Sequence, residues 1–246
     1  MLGLLRSLFI YYAVPLRHQR LKAIYRPFRE AGELMFDVGA HVGNRSRAWI
    51  ALGGTVVALE PQENCLRFLR RLYRGSHNME IVPAAVGDSP GIVDLYVSST
   101  HPTMTTTTES WIADLESSGM SRGVRWERRT TVPVTTLDRL IAQFGLPAFV
   151  KIDVEGAEQL VLAGLSEPIP AVSFEYLPTQ TERALACVDR LERLGSYRFN
   201  YCVGERHRFV LPQWVAAESI VGLLRNLSPG SRSGDIYARL ATPVSR

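Results

Sequence analysis

The stretch ELMFDVGAHVGN, residues 33–44, sets the reading of the whole chain. Glu33 to Asp37 is a short apolar run closed by a carboxylate. Asp37-Val38-Gly39-Ala40-His41-Val42-Gly43-Asn44 then turns the chain into a helix-like pattern carried by Ala48, Trp49, Ile50 and Leu52. A strand ending in such a turn brings backbone close to a ligand. Gly39 and Gly43 lack the Cβ atoms that would block the approach, and the helix N-terminus beyond offers unpaired N–H groups to a carboxylate or phosphate. A glycine turn needed only for tight strand-to-helix packing looks the same. After Gly39 the next glycine is Gly43, so the dinucleotide spacing GxGxxG is absent and nicotinamide or flavin cofactors are disfavoured.

Working outward, short apolar runs alternate with helical patterns, as in βαβ units feeding a mostly parallel sheet. Strands are expected at Thr55 to Glu60, Glu80 to Val86, Ala148 to Asp153, Ala171 to Glu175, Tyr197 to Val203 and Asp235 to Leu240. Helices are expected over Asn64 to Tyr73, Leu137 to Phe144, Glu158 to Ala163, Thr181 to Leu194 and Val215 to Leu224, with Thr135 or Thr136 as an N-cap. The turn residues Gly87 to Gly91 predict that IVDLYVS returns as a hairpin on the third strand. Residues 98–131 break the rhythm with a Thr-rich run, Thr103 to Thr108, and read as an inserted loop or lid.

The chain has 246 residues, 46% of them hydrophobic, enough for one substantial core. One domain over residues 31–246 is expected, preceded by a basic amphipathic extension over residues 1–30. The net charge of +4 favours anionic surfaces slightly and identifies no partner. Cys65, Cys187 and Cys202 are too scattered for a disulfide framework or a CxxC metal pair, which makes a reducing cytoplasm the default. The apolar segment Leu8 to Leu16 is too short to span a bilayer, and the basic residues after it argue against a signal peptide. Residues 1–26 are read either as a helix packed on the domain, which is favoured, or as a peripheral contact with the inner, anionic membrane surface.

Two further constellations carry chemistry. Glu60 ends the second strand, seventeen positions after Gly43, where an acid can accept hydrogen bonds from both ribose hydroxyls of a nucleoside. In Lys151-Ile152-Asp153-Val154-Glu155-Gly156-Ala157-Glu158, the fourth strand ends in three acids within six residues. Such acids repel one another unless cations, hydrogen-bond donors or protonation intervene. Glu158 is expected to face solvent or cap its helix, which leaves Asp153 as the better functional candidate.

DVGAHVGN, Glu60-Pro61, AAVGDSPG, Thr136-Leu137-Asp138 and KIDVEGAE, in this order over roughly residues 33 to 176, resemble the FkbM family of S-adenosylmethionine-dependent methyltransferases. The resemblance implies a doubly wound, mostly parallel, seven-stranded Rossmann-like sheet with helices on both faces. It implies that Asp37, Gly39, Ala40, His41, Gly43 and Asn44 hold the methionine part of the cofactor, and that Glu60 and Pro61 take the ribose. Ala85, Val86 and Asp88 would flank the adenine, while Asp153 and Glu155 border the sulfonium and Glu175 lies on the same edge. The family usually has Asn where this chain has His41, which is assigned first to the cofactor carboxylate and second to acid–base work.

The activity implied is methyl transfer to a hydroxyl of a small molecule, with a sugar or glycolipid favoured. The general base is sought among Asp153, Glu155, Glu175 and His41. No His-rich cluster accompanies the carboxylates, so no metal is expected. Nucleic-acid methylation is a weaker alternative, because no aromatic-interleaved basic stripe is present. A non-catalytic nucleoside-binding protein would keep Gly39, Gly43 and Glu60 but would not need the acids around Asp153.

Overall fold

The computed structural model describes residues 7–9, 11–12, 14, 16–29 and 32–241, so the expected N-terminal extension lies partly outside the described residues. In chain order the helices and strands are α1 (Arg17–Arg29), β1 (Leu34–Val38), α2 (Asn44–Ile50), β2 (Thr55–Leu59), α3 (Glu63–Leu72), β3 (Met79–Val82), β4 (Ala85–Val86), β5 (Gly91–Val97), α4 (Glu109–Ser117), β6 (Arg128–Thr135), α5 (Leu137–Phe144), β7 (Phe149–Ile152), α6 (Glu158–Ala163), β8 (Ala171–Tyr176), α7 (Thr181–Leu194), β9 (Tyr197–Val203), α8 (Ala217–Arg225) and β10 (Gly234–Leu240).

The main sheet has seven strands in the order β3-β2-β1-β7-β8-β10-β9. β10 runs antiparallel between β8 and β9, and the pairings among β3, β2, β1, β7 and β8 are parallel. This is the doubly wound α/β fold expected from the alternation of strands and helices. The chain steps outward from β1 to β3 and resumes on the other side at β7, so the strand order reverses between β1 and β7. Ligands of open α/β sheets bind outside the carboxyl ends of the strands at such a point.

The expected third strand is corrected. Residues 80–86 divide into β3, in the main sheet, and β4, in a separate three-stranded sheet of order β4-β6-β5. Pro83 between them has no N–H to continue a ladder, so the strand stops there. The hairpin expectation is corrected with it: β5 pairs antiparallel with β6, and β4 pairs parallel with β6. Local turn residues do not reveal that the partner strand lies beyond residues 98–127. Within that interval the structure has a short 3-10 turn at Pro102–Met104 and the helix α4.

Successive strand residues point to opposite faces. Phe36, Val38, Val57, Leu59, Val150, Ile152, Val172 and Phe174 join one core with α5 to α8. Met35, Val56, Ala58, Phe149 and Tyr237 join the other, which is closed by Trp49 of α2 and by Leu21, Ile24, Tyr25 and Phe28 of α1. Residues 17–29 therefore form a helix packed on the sheet. The alternation that turns Phe149 and Tyr237 towards α1 also sets Lys151 and Asp235 on that face, nearer the carboxyl edge. No helix among the described residues is long and apolar enough to cross a membrane. Thr136 caps α5, its Oγ1 accepting from Arg139 N at 3.2 Å.

Candidate active site

A cavity opens where β1, β2 and β7 end. Gly39, Ala40, His41, Asn44, Glu60, Pro61, Ala85, Val86, Asp153 and Glu155 all line it, so the structure gathers most of the residues singled out in the sequence. Asp88 is exposed and does not line the cavity, and Gly43 lies behind it against Leu69 and Tyr73. Glu175 reaches the acids from β8 and lines a second, smaller cavity.

The glycine turn is explained first by packing. Gly39 has φ 82°, and a Cβ placed there would lie 1.9 Å from the carbonyl oxygen of Asp153. Asp37 lines the cavity as well, yet its carboxylate is engaged by the backbone N–H and hydroxyl of Ser46 in α2. The helix N–H at Ser46 is therefore not free for a ligand carboxylate, because Asp37 already takes it.

His41 has φ 49°, in the left-handed region where Asn, Asp and His are enriched among non-glycine residues. His in place of the family's usual Asn is thus compatible with the backbone. Its N–H donates to Glu60 Oε2 at 2.8 Å and its ring meets Tyr11 edge-on at 5.9 Å. Burial pulls its pKa down to about 4, so the imidazole is neutral at pH 7. His41 Nε2 and Asn44 Nδ2 are buried without a hydrogen-bond partner among the described residues.

Glu60 is 2% exposed and also accepts from Gln62 N at 2.7 Å. Burial pushes its pKa up to about 7, against the pull of these two backbone N–H groups. Its remaining lone pairs are free to accept from hydroxyl donors in the cavity.

Each acid after β7 escapes repulsion by a different route. Glu158, 5% exposed, neither faces solvent nor caps its helix: it accepts from Val154 N and Gly156 N of the turn that precedes the helix, which has no side-chain cap. Asp153 is paired with cations, lying 3.4 Å from Lys151 Nζ and 3.9 Å from Arg45. Glu155 and Glu175 remain close to each other. Burial raises both well above the ordinary carboxylate range, with the charges of Glu175 and Asp153 adding to the shift of Glu155 and those of Asp153 and Glu158 to the shift of Glu175. One oxygen each from Asp153, Glu155 and Glu175 lie within 4.8 Å of one another, a spacing that also suits a cation.

The partners of these acids come from distant parts of the chain. Lys151, fully buried, pairs with Asp235 at 3.0 Å, and Arg45 pairs with Asp235 at 3.5 Å and Glu205 at 3.9 Å. Burial opposes the Lys151 charge, but Asp153 and Asp235 more than offset it and its pKa rises. A lysine inside an apolar central strand is itself a signal that partners exist, because an unpaired buried ammonium is prohibitively costly. The Thr-rich segment contributes Thr103, Thr105, Thr106 and Thr107 to the cavity wall. It is tied down by Thr105 to Gln62 at 3.1 Å and by Thr106 to the carbonyl of Glu155 at 2.7 Å.

No curated protein matches this sequence. Among solved structures, the chain is similar to precorrin-6Y C5,15-methyltransferase from Geobacter metallireducens, at 12% identity over 89% of this chain and 87% of that one, with a TM-score of 0.47. It is similar to the O-methyltransferase from Bacillus cereus in complex with SAH, at 13% identity over 97% and 90%, with a TM-score of 0.40. It also resembles the N-terminal domain of EvdMO1, solved in the presence of SAH and D-fucose, at 14% identity over 92% and 84%, with a TM-score of 0.42. It spans 41% of the longer EvdMO1 chain. A family model described as the methyltransferase FkbM domain matches residues 37–214, from the acid that ends β1 to the segment before α8. This chain belongs to the FkbM family of S-adenosylmethionine-dependent methyltransferases.

Proposed function

We propose that the large cavity holds S-adenosylmethionine and that the protein methylates a hydroxyl oxygen of a small molecule, a sugar or glycolipid being the favoured class. The observation that carries this reading is the convergence of Asp153, Glu155 and Glu175 within 4.8 Å beside a cavity lined by Gly39 and Glu60. The unpartnered His41 Nε2 and Asn44 Nδ2 fit a polar cofactor end, and Glu60 fits a ribose. Ala85 and Val86 supply an apolar flank for adenine.

The cofactor supplies a methyl group on a positively charged sulfur. The residues of this chain have two tasks: to hold the acceptor oxygen in line with that carbon and to take its proton. During transfer the acceptor's hydroxyl proton would pass to a carboxylate of the Glu155–Glu175 pair. The raised affinity of this pair for protons makes it a better base than an ordinary carboxylate. Asp153, paired with Lys151 and Arg45, would border the sulfonium.

The test is calorimetric titration with S-adenosylmethionine, with NAD as control and Glu60→Ala as the paired variant, followed by an acceptor screen. Micromolar-range binding that is lost in the variant, with methyl ether formed on a sugar, supports the reading. Preference for NAD overturns it, and transfer to nitrogen or to nucleic acid overturns the acceptor class.

A peripheral membrane contact is the second part of the proposal. Phe9, Val14 and Leu16 are exposed, alongside exposed Arg20 and Arg26. Because Leu21, Ile24 and Tyr25 belong to the core, the test is Arg20→Glu with Arg26→Glu rather than truncation. The pair should abolish sedimentation with anionic liposomes, and unchanged sedimentation removes the membrane reading.

A further inference from the structure

Tyr11, Tyr12 and Arg17 precede the stretch that the family model matches, residues 37–214, yet they pack on its glycine turn. Tyr12 donates its hydroxyl to the carbonyl oxygen of Val42 at 2.7 Å, and the guanidinium of Arg47 in α2 lies over the Tyr12 ring at 5.3 Å. Tyr11 meets the His41 ring edge-on at 5.9 Å. Arg17 lies over the Tyr11 ring at 5.5 Å and pairs with Glu205 at 3.8 Å. The segment is thus attached to the turn between Gly39 and Gly43 and, through Glu205, to the turn after β9.

These ties carry one side chain into the site. Tyr11 lines the large cavity together with His41, Asn44 and Arg45. Each of the latter three keeps a buried nitrogen without a hydrogen-bond partner among the described residues: His41 Nε2, Asn44 Nδ2 and Arg45 Nη1. Arg45 spends its other terminal nitrogen on Asp235 at 3.5 Å and on Asp153 and Glu205 at 3.9 Å. Buried polar groups are nearly always paired, and leaving one unpaired is costly. Amide and guanidinium N–H groups are donors, so Asn44 Nδ2 and Arg45 Nη1 suit an oxygen-rich group such as a carboxylate. Of the parts of S-adenosylmethionine, only the methionine end carries one.

We infer that the N-terminal segment is a wall of the cofactor site, and that the Tyr11 ring covers the methionine end of the cofactor where it lies against Asn44 Nδ2 and Arg45 Nη1. The inference rests on the cofactor reading above and adds to it a residue outside the matched family domain. A covering ring keeps water from the carboxylate and its donors, and their attraction is stronger for it. Tyr11 is a binding residue and takes no part in proton removal.

The experiment uses the full chain and two ligands: S-adenosylhomocysteine, titrated by calorimetry, and 5′-methylthioadenosine, titrated by ligand-observed NMR. The second keeps the adenosine and the sulfur but lacks the amino and carboxylate groups of the methionine end. Wild type is compared with Tyr11→Ala and Tyr11→Phe. Tyr11→Ala is expected to bind S-adenosylhomocysteine about tenfold more weakly and 5′-methylthioadenosine within about twofold of wild type, while Tyr11→Phe recovers S-adenosylhomocysteine to within about threefold. Equal losses for the two ligands would show that Tyr11 only props the glycine turn, and overturn the inference. Unchanged S-adenosylhomocysteine binding in Tyr11→Ala overturns it too, and a Tyr11→Phe as weak as Tyr11→Ala overturns covering by the ring. If the wild type binds neither ligand, the cofactor reading itself falls, and the wall with it.

Discussion

Gly39 and Asp153 meet backbone to backbone across the gap between β1 and β7: a Cβ on Gly39 would lie 1.9 Å from the Asp153 carbonyl oxygen. This contact sets the glycine turn directly against the backbone of the first acid after β7. Gly39→Ala adds a clash with backbone to a strained φ of 82°. It is expected to lower stability by at least about 2 kcal/mol. Urea denaturation checks this, and a loss below about 0.5 kcal/mol would show that the two backbones part easily.

If Glu60 holds the ribose, as proposed, its pKa, pushed up to about 7, would tie cofactor affinity to pH. The ionised carboxylate would accept from both ribose hydroxyls, whereas the protonated one has spent an oxygen on its own proton. Affinity for S-adenosylmethionine should therefore fall as pH drops through 7, and be about tenfold lower at pH 6 than at pH 8. Calorimetry across this range measures it. A flat profile in the wild type removes Glu60 from ribose recognition, and Glu60→Gln should bind weakly and without pH dependence.

Under the proposed mechanism the Glu155–Glu175 pair would set the pH at which turnover begins. Because burial and neighbouring acids raise both, kcat/KM at saturating cofactor should climb with pH along a limb above the ordinary carboxylate range. Glu175→Gln removes one repelling charge, so the limb should move to lower pH even as the maximum rate falls. A limb that stays in place assigns the titration elsewhere. In the same assay EDTA should leave the rate unchanged; a loss restored by Mg²⁺ would give the three acids to a cation instead.

Lys151 stands between Asp153 and Asp235, at 3.4 and 3.0 Å. Lys151→Met leaves buried negative charge uncompensated and should cost about 3–5 kcal/mol. Adding Asp235→Leu should restore part of this, because removing both partners is milder than removing one. Chemical denaturation of both variants tests the pairing, and a single-variant cost under about 1 kcal/mol would show that Arg45 alone suffices for the two acids.

The strands and helices were largely legible in the sequence, because period-2 and helical spacing act over a few residues. α6, α7 and β9 lie where the pattern puts them. The break at Pro83 was passed over, because the apolar run hid the one residue that cannot donate to a ladder. The partner of β5 was not legible, since it follows a long insertion. Among the functional residues, Glu60 and the acids after β7 stood out because a charged group closing an apolar strand needs a reason. Arg45 gave no such sign, because an arginine in a helix is ordinary in any chain.

The sequence by itself determined the alternation of strands and helices, the glycine turn at the end of β1 and the order of the motifs that identify the family. These depend on local backbone sterics and on patterns repeating within a few residues. Only the tertiary structure decided how each acid is tolerated: Glu158 by backbone donors, Asp153 by Lys151 and Arg45, and Glu155 and Glu175 by burial that raises their pKa. The physical reason is that a buried charge is governed by whatever lies within a few ångströms of it. For Asp153 that surrounding includes Arg45 from α2, and through Lys151 it reaches Asp235 of β10, far away along the chain.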